Sequence, residues 1–432
     1  MLKGATAEKL YAQVKDLPVI DYHCHLDPSM IRANSTFSDV GELWLAADHY
    51  KWRAMRMCGV DETFITGAAS YREKFCKYAE IMPALLGNPL YYWTHMELRQ
   101  IFGICEPLNA ESAARIYDRA NEMLPSLSVR AFLRRFGVRY VATTDDPCDD
   151  LAAHGTYGDT TVAPTFRPDK AYHPSTYTAA LEKAAGERIT TAAAYLRALV
   201  KRLDHFVRKG CRLTDHGLEK FPDAYATDEE AEQIFARYDK ATAADKDKFL
   251  GWLLINLAKA YGERGLIMQI HFAVIRNNNT RMFAQCGADS GFDLIGAAQP
   301  VAPVVRFLDS LADGVRPPVV LYTLNDGNLA ALAAVTGAFR NVRMGAAWWF
   351  NDTVSGIRRN LAAIAEYSVM GTHLGMLTDS RSFSSYCRFD FFRRILCDFI
   401  GEKVDAGEYD EQAAAALAKD ICYNNVQRLL RL

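Results

Sequence analysis

Leu17-Pro18-Val19-Ile20-Asp21-Tyr22-His23-Cys24-His25-Leu26 is a short apolar run that ends in two histidines one residue apart. Side chains alternate between the two faces of an extended strand, so His23 and His25 project to one side while Cys24 projects to the other. Two imidazoles placed in this way suit a divalent ion. With 10 histidines in 432 residues, chance supplies roughly 0.2 such pairs per chain, so the motif needs partners at other strand ends. Cys24 reads as a packed core thiol rather than a third ligand.

The chain can build a scaffold to carry those partners. It is 432 residues long and 50% hydrophobic, enough for one elaborated α/β barrel or for two to three ordinary domains. Its formal charge is −2, with no basic run for nucleic acid and no apolar segment of membrane-spanning length. The first 17 residues, MLKGATAEKLYAQVKDL, are charged and amphipathic and lack the apolar stretch of a secretory signal, which predicts a cytoplasmic protein. The 10 cysteines show no metal or disulfide spacing and read as ordinary thiols of a reducing compartment.

Eight β-rich runs recur, each closed by polar residues: 17–22, 138–144, 162–166, 211–214, 266–270, 319–324, 342–349 and 373–378. Helical patterns lie between most of them, such as Leu196, Leu199, Val200, Leu203, Phe206 and Val207 at i, i+3, i+4 spacing. This alternation predicts an α/β fold, a distorted (β/α)8 TIM barrel. More than a hundred residues separate the first run from the second, where one βα unit needs about thirty. Helical runs at 39–58, 71–86, 91–102 and 110–123 fill the gap, so residues 30–130 form a helical insertion subdomain capping the barrel mouth, with the barrel in 1–29 and 131–432.

In such a barrel the working residues sit at the C-terminal ends of the strands. Those positions hold His23 and His25, Asp145 and Asp146, Arg167, Asp215 and His216, His271, Asn325, Trp348 to Asp352, and Asp379 with Arg381. Singly, each has an ordinary explanation as a helix cap or a surface ion pair. Together, two histidines of the first strand, one of the fifth and an aspartate of the eighth make a mononuclear site with nitrogen and oxygen donors. His271 is open to two readings, as a ligand or as a group that orients one.

The motifs DYHCHL (21–26), DHYKWRAMR (48–56), GNPLYYWTHMEL (87–98), PTFRPD (164–169), CRLTDHGL (211–218), MQIHFAVIRNNNTRMF (268–283), WWFND (348–352) and GMLTDSRSFSSYCRFDFFRRIL (375–396) resemble the uronate isomerase (glucuronate isomerase) family of the amidohydrolase superfamily. The similarity spans nearly the whole chain. It implies a metal-dependent aldose–ketose isomerase that interconverts D-glucuronate with D-fructuronate, and D-galacturonate with D-tagaturonate, through a cis-enediol. It further implies metal ligands at His23, His25 and Asp379, with the ion chelating the substrate's C6 carboxylate and C5 hydroxyl. Asp379, Tyr50 and His49 would be catalytic, and Arg167, Arg381, Asp215, His271 and Trp348 would bind substrate. The expected cofactor is one divalent ion, zinc first among Zn, Mn, Fe and Co, with no organic cofactor. The expected partner is a small-molecule uronate, with no nucleic acid and no membrane; a homo-oligomer is left open.

The chemistry stands apart from the resemblance. Moving a proton from C2 to C1 requires a base over the C2 hydrogen and a group that shuttles a proton between neighbouring oxygens. A carboxylate suits the first task and a tyrosine or histidine the second. A metal ion with Arg167 and Arg381 beside it predicts an anionic ligand. Small departures from the family pattern, Ala273 where glycine is common and Ala346-Ala347 where glycine or serine often precedes the tryptophan pair, bear on the pocket's fine shape and the preference between glucuronate and galacturonate, not on the reaction class. The absence of a lysine at the fourth strand end and of a histidine at the sixth argues for one metal. The rival readings are a mononuclear metal-dependent hydrolase, since the same ligands can activate water, and a non-catalytic sugar-acid binder.

Overall fold

A computed structural model describes residues 1–432. Its strands are β1 (Val19–Asp21), β2 (Val138–Ala142), β3 (Gly155–Tyr157), β4 (Thr160–Ala163), β5 (Thr165–Phe166), β6 (Leu213–Gly217), β7 (Ile267–Phe272), β8 (Val274–Ile275), β9 (Leu294–Ile295), β10 (Val319–Thr323) and β11 (Val342–Met344). Two largely parallel sheets hold most of them, ordered β1-β2-β4-β3 and β11-β10-β7-β6-β5, with β3 antiparallel on β4 and a separate β8-β9 hairpin. The third expected strand is divided at Pro164, which has no N–H to donate, into β4 on the first sheet and β5 on the second. A parallel bridge between Asp145 and Phe166 joins the two sheets at that point.

The parallel strands are largely buried on both faces, as helix-covered strands must be, while β3 and β9 are exposed. Ile20, Tyr140, Ala142, Ala163, Leu213, Ile267, Val320 and Tyr322 form one apolar cluster, while alternate residues such as Val19, Val141, Met268, Leu321 and Met344 join the larger cluster shared with the helices. Inner residues of both sheets thus meet in one place.

The eighth expected strand, 373–378, does not form, and with it the closed ladder of eight. Gly375 interrupts it at φ 73, and a Cβ there would lie 2.3 Å from the carbonyl oxygen of Ile421. Only glycine fits that turn. The segment is attached to β1 by other bonds. Asp21, fully buried, accepts from the backbone N–H of Thr378 at 3.0 Å and from its hydroxyl at 2.5 Å. The N–H of Asp379 donates to the His23 carbonyl at 3.1 Å, and that of His25 to the Ser380 carbonyl at 2.9 Å.

His373 braces the same turn. Its Nδ1 accepts from the Gly375 N–H at 2.8 Å while Nε2 faces Asn360 Oδ1 at 3.2 Å, so the ring must be neutral, and burial pushes its pKa down to about 4. Burial likewise lowers His216 to about 4, with its Nδ1 2.7 Å from the Tyr172 hydroxyl. An unfolded histidine titrates near 6.5, so between the two values the unfolded chain binds more protons. Stability is complete above that window and falls as pH drops through it, by up to roughly 3 kcal/mol for each histidine. We expect His373→Gln to flatten the pH dependence of unfolding free energy between 4 and 6.5. Parallel wild-type and variant curves would contradict this account.

The long gap is helical throughout. After α1 (Ala5–Val14) come α2 (Pro28–Ala33), α3 (Val40–Leu45), α4 (His49–Met57), α5 (Tyr71–Ile81), α6 (Pro89–Phe102), α7 (Ala113–Met123) and α8 (Val129–Arg135). Both expected boundaries of the insertion fall inside helices. Asp27 caps α2 by accepting from Ser29 N at 2.8 Å with Pro28 in the first turn, and α8 runs on to Arg135. The run 39–58 is two helices, the first ending at Leu45 and the second capped by Asp48. Its Oδ1 accepts from Tyr50 N at 3.0 Å and Lys51 N at 3.3 Å, which fixes His49 and Tyr50 in the first turn of α4. The 10 cysteines are all free, and no helix is long and apolar enough to cross a membrane.

Candidate active site

His23 and His25 lie just past the end of β1, His23 at a bend, with Cys24 fully buried between them. Asp379 follows the segment tied to Asp21 and holds φ 47, a left-handed conformation that an aspartate keeps only when its surroundings enforce it. Its Oδ1 lies 3.1 Å from His23 Nε2 and 3.2 Å from His25 Nε2. Its Oδ2 accepts from the Tyr50 hydroxyl at 3.2 Å. One carboxylate therefore presents one oxygen to the histidine pair and the other to a proton donor.

The ligand atoms of His23, His25 and Asp379 all fall within 4.8 Å of one another. Tetrahedral bonds of roughly 2.0–2.2 Å to a shared ion place neighbouring donors about 3.3–3.6 Å apart, and the two aspartate–histidine separations, 3.1 and 3.2 Å, lie close to that range. His271 is not in this group. Its Nε2 faces Asp215 Oδ1 at 3.2 Å, and Asp215 Oδ2 lies 3.8 Å from His23 Nδ1 and 3.2 Å from Arg167 Nη1. Asp215 thus links His271, His23 and Arg167 beside the three-residue cluster.

Burial alone would raise the Asp379 carboxyl, but the hydrogen bonds to His23 and His25 outweigh it and hold the group well below the usual carboxylate range. Burial lowers His25 to about 4, against the pull of Asp379, so its ring is neutral near pH 7 with a lone pair to offer. For His23, burial pushes down, but Asp215 and Asp379 together raise it. Burial and then the Asp379 charge keep the Tyr50 hydroxyl protonated.

His23, His25 and Asp379 open into a cleft of about 690 Å³ lined also by His49, Arg167, His271, Trp348, Trp349 and Arg381; Tyr50 and Asp215 stand behind its wall and do not line it. His49 stacks obliquely on Tyr50, ring centroids 4.8 Å apart, and its buried Nδ1 has no partner. Trp348 packs on His271 at 5.2 Å. Asp145 and Asp146 reach the cleft too, the first held by His154 at 3.2 Å and the second by Lys170 at 3.0 Å. His216 is buried in β6, and Asn325 caps a short helix by accepting from Gly327 N at 2.9 Å; neither lines the cleft. Asp352 is buried outside it, with its pKa raised to about 7 by burial.

The expected surplus of positive charge is not there. Arg167 is paired with Asp169 at 2.8 Å as well as with Asp215, and Arg381 with Asp289 at 2.8 Å. The lining holds six carboxylates, Asp145, Asp146, Asp149, Asp169, Asp289 and Asp379, against four fixed cations, Arg167, Lys170, Arg276 and Arg381. A divalent ion brings it to balance rather than to excess. Asp169 closes the PTFRPD motif and opens a short 3-10 helix, while Asp289 stands in a loop outside every marked motif. Arg388 lies inside the marked 375–396 stretch, but its placement is a feature of the fold: its buried guanidinium lies 3.8 Å from the Trp93 ring and 5.3 Å from that of Tyr50, and donates to the Thr378 carbonyl at 3.0 Å.

Ala273 stands at φ 65, which gives a physical reason for glycine at that point.

Comparison with known proteins agrees with this geometry. The family profile of glucuronate isomerase matches residues 1–430. The uronate isomerase of Shouchella clausii is 42% identical over 453 residues, covering 99% of this chain and 96% of that protein, and the one from Caldanaerobacter subterraneus is 41% identical over 455 residues, covering 100% and 98%. Among solved structures, the uronate isomerase from Thermotoga maritima superposes with a TM-score of 0.96 at 33% identity, covering 99% of this chain and 98% of that one. The glucuronate isomerase from Caulobacter crescentus superposes at 0.94 with 28% identity, covering 99% and 94%. With a shared family profile over nearly its full length and relatives above 40% identity, the chain is an isomerase and belongs to the uronate isomerase family.

Proposed function

We propose that the enzyme interconverts D-glucuronate with D-fructuronate, and D-galacturonate with D-tagaturonate, by proton transfer between C2 and C1 through a cis-enediol. The observation that carries this reading is the divided carboxylate of Asp379, one oxygen on the His23–His25 pair and the other 3.2 Å from the Tyr50 hydroxyl. His23, His25 and Asp379 would hold one divalent ion, zinc first among Zn, Mn, Fe and Co. When bound, it supplies Lewis acidity that makes a sugar hydroxyl easier to deprotonate.

Asp379, kept ionised by its histidine neighbours, is the base that takes the proton from C2. Tyr50, kept protonated, and His49 beside it pass a proton between the oxygens on C1 and C2. Asp215 and His271 orient His23 and Arg167, Arg167 and Arg381 bind the substrate, and Trp348 walls the cleft. The uronate assignment rests on family membership and on the ion, because both arginines already have carboxylate partners. We also read the two sheets as a distorted (β/α)8 barrel, with residues 30–130 as the unit over its mouth; the common inner cluster supports the first and the position of α4 at the cleft supports the second.

The test is Tyr50→Phe. We expect turnover of D-glucuronate to fall about 100-fold while metal content stays at wild-type level, since the hydroxyl serves the shuttle and not the ion. Wild-type turnover in the variant would remove Tyr50 from the mechanism.

A further inference from the structure

The chain leaves the cleft after β8, forms a short helix at Thr280–Cys286, and returns across the mouth to β9. The returning strap, Gly287 to Asp293, touches both sides of the site. On one side, Asp289 Oδ2 lies 2.8 Å from Arg381 Nη2, and its Oδ1 approaches Arg276 Nη1 at 3.9 Å. No other carboxylate pairs with Arg381. On the other side, Gly291 at φ 93 is pressed on α4, where a Cβ would stand 3.0 Å from the His49 carbonyl oxygen and 3.3 Å from Arg53 Cβ.

The strap is fixed in place. Arg53 donates to the carbonyls of Gly291 at 3.1 Å and Asp293 at 3.0 Å, and Arg56 donates to the Ser290 carbonyl with its guanidinium 4.3 Å from the Phe292 ring. Asp293 accepts from Arg276 at 2.9 Å and from Asn277 N at 2.8 Å. Asp289 itself is held at φ 58, a left-handed backbone conformation that surrounding contacts must enforce. An exposed ion pair by itself contributes little. This one differs because its carboxylate is carried on a pinned segment while its guanidinium lines the cleft.

We propose that Asp289 is a positioning residue, which holds the Arg381 guanidinium at the cleft mouth in the place from which it engages the sugar acid. The proposal deepens the uronate isomerase reading and rests on it for the substrate. The strap makes the position of Arg381 depend on α4, the helix that presents His49 and Tyr50.

The test compares Asp289→Asn, Asp289→Glu and Arg381→Met in the metal-loaded enzyme, by steady-state kinetics on D-glucuronate, metal analysis and melting temperature. We expect Asp289→Asn to raise KM at least about fivefold with kcat within about threefold and metal content unchanged, and Asp289→Glu to recover part of the loss. In the Arg381→Met background, Asp289→Asn should change kcat/KM by less than about twofold, because the residue it acts through is gone. An unchanged or lowered KM in Asp289→Asn overturns the proposal, as does an undiminished loss in the Arg381→Met background. If the wild-type enzyme does not turn over uronates, it is the functional reading that fails. A crystal structure of Asp289→Asn then decides the positioning role separately: displacement of the Arg381 guanidinium supports it, and an unmoved guanidinium overturns it.

Discussion

Replacing Asp379 by asparagine is expected to lower kcat by roughly 10²–10⁴-fold, the range a positioned general base contributes, with a smaller change in KM. The change keeps the shape of the side chain and a neutral oxygen for the histidine pair. It removes the negative charge on the Tyr50 side, where Oδ2 now accepts at 3.2 Å, and with it any ability to take a proton from C2. Because Asp379 is also a candidate ligand, metal content must be measured in the same preparation. A variant loaded with metal outside saturation would confuse the two roles, so turnover is compared at saturating ion. Turnover at the wild-type level would exclude Asp379 as the base.

The second large effect is on the ion. His25→Ala is expected to weaken metal retention by more than about 100-fold, since losing even an outer partner of a ligand costs 10–100-fold and this removes a donor outright. His25 is the cleaner choice of the two histidines. Its side chain is 24% exposed against 6% for His23, so truncation leaves less of a buried void to disturb the fold. His23→Ala should lose the ion as well, with an added loss of stability. The measurement is metal per chain after dialysis, near one for wild type and near zero for both variants. Full occupancy in both would dismiss the metal site.

The cluster of His23, His25 and Asp379 was legible in part. Two histidines at i, i+2 after an apolar run share a side of an extended chain, while Asp379, 356 residues from His23, was reached only by placing it at the end of the last strand-like run. Asp48 was legible as a residue of a marked motif but not as the cap that divides one expected helix into two, since helical periodicity continues through the break. The eighth strand failed for a reason that composition hides. His373 to Thr378 is apolar enough for a strand, but Gly375 turns left-handed where the chain meets Ile421, and that contact lies 46 residues further on in the chain.

Pairing also decided the charge of the cleft. Arg167, Arg381 and Asp215 stood out at strand ends, but that Asp169 and Asp215 pair with Arg167, and Asp289 with Arg381, is set by how the strand ends and loops meet in the fold. The expectation of excess positive charge failed for that reason. The reading of His271 was open in sequence; in the structure its Nε2 faces Asp215 Oδ1 at 3.2 Å.

The most direct test of the central claim is to incubate the metal-loaded enzyme with D-glucuronate in deuterated water and follow the sugar by proton NMR. The account predicts that the D-fructuronate resonances appear, with some solvent deuterium at C1 because the proton passes through exchangeable groups of the protein. Unchanged D-glucuronate would contradict the assignment of substrate and reaction. Ketose formed without any deuterium at C1 across the pH range would contradict the enediol route and indicate a hydride shift.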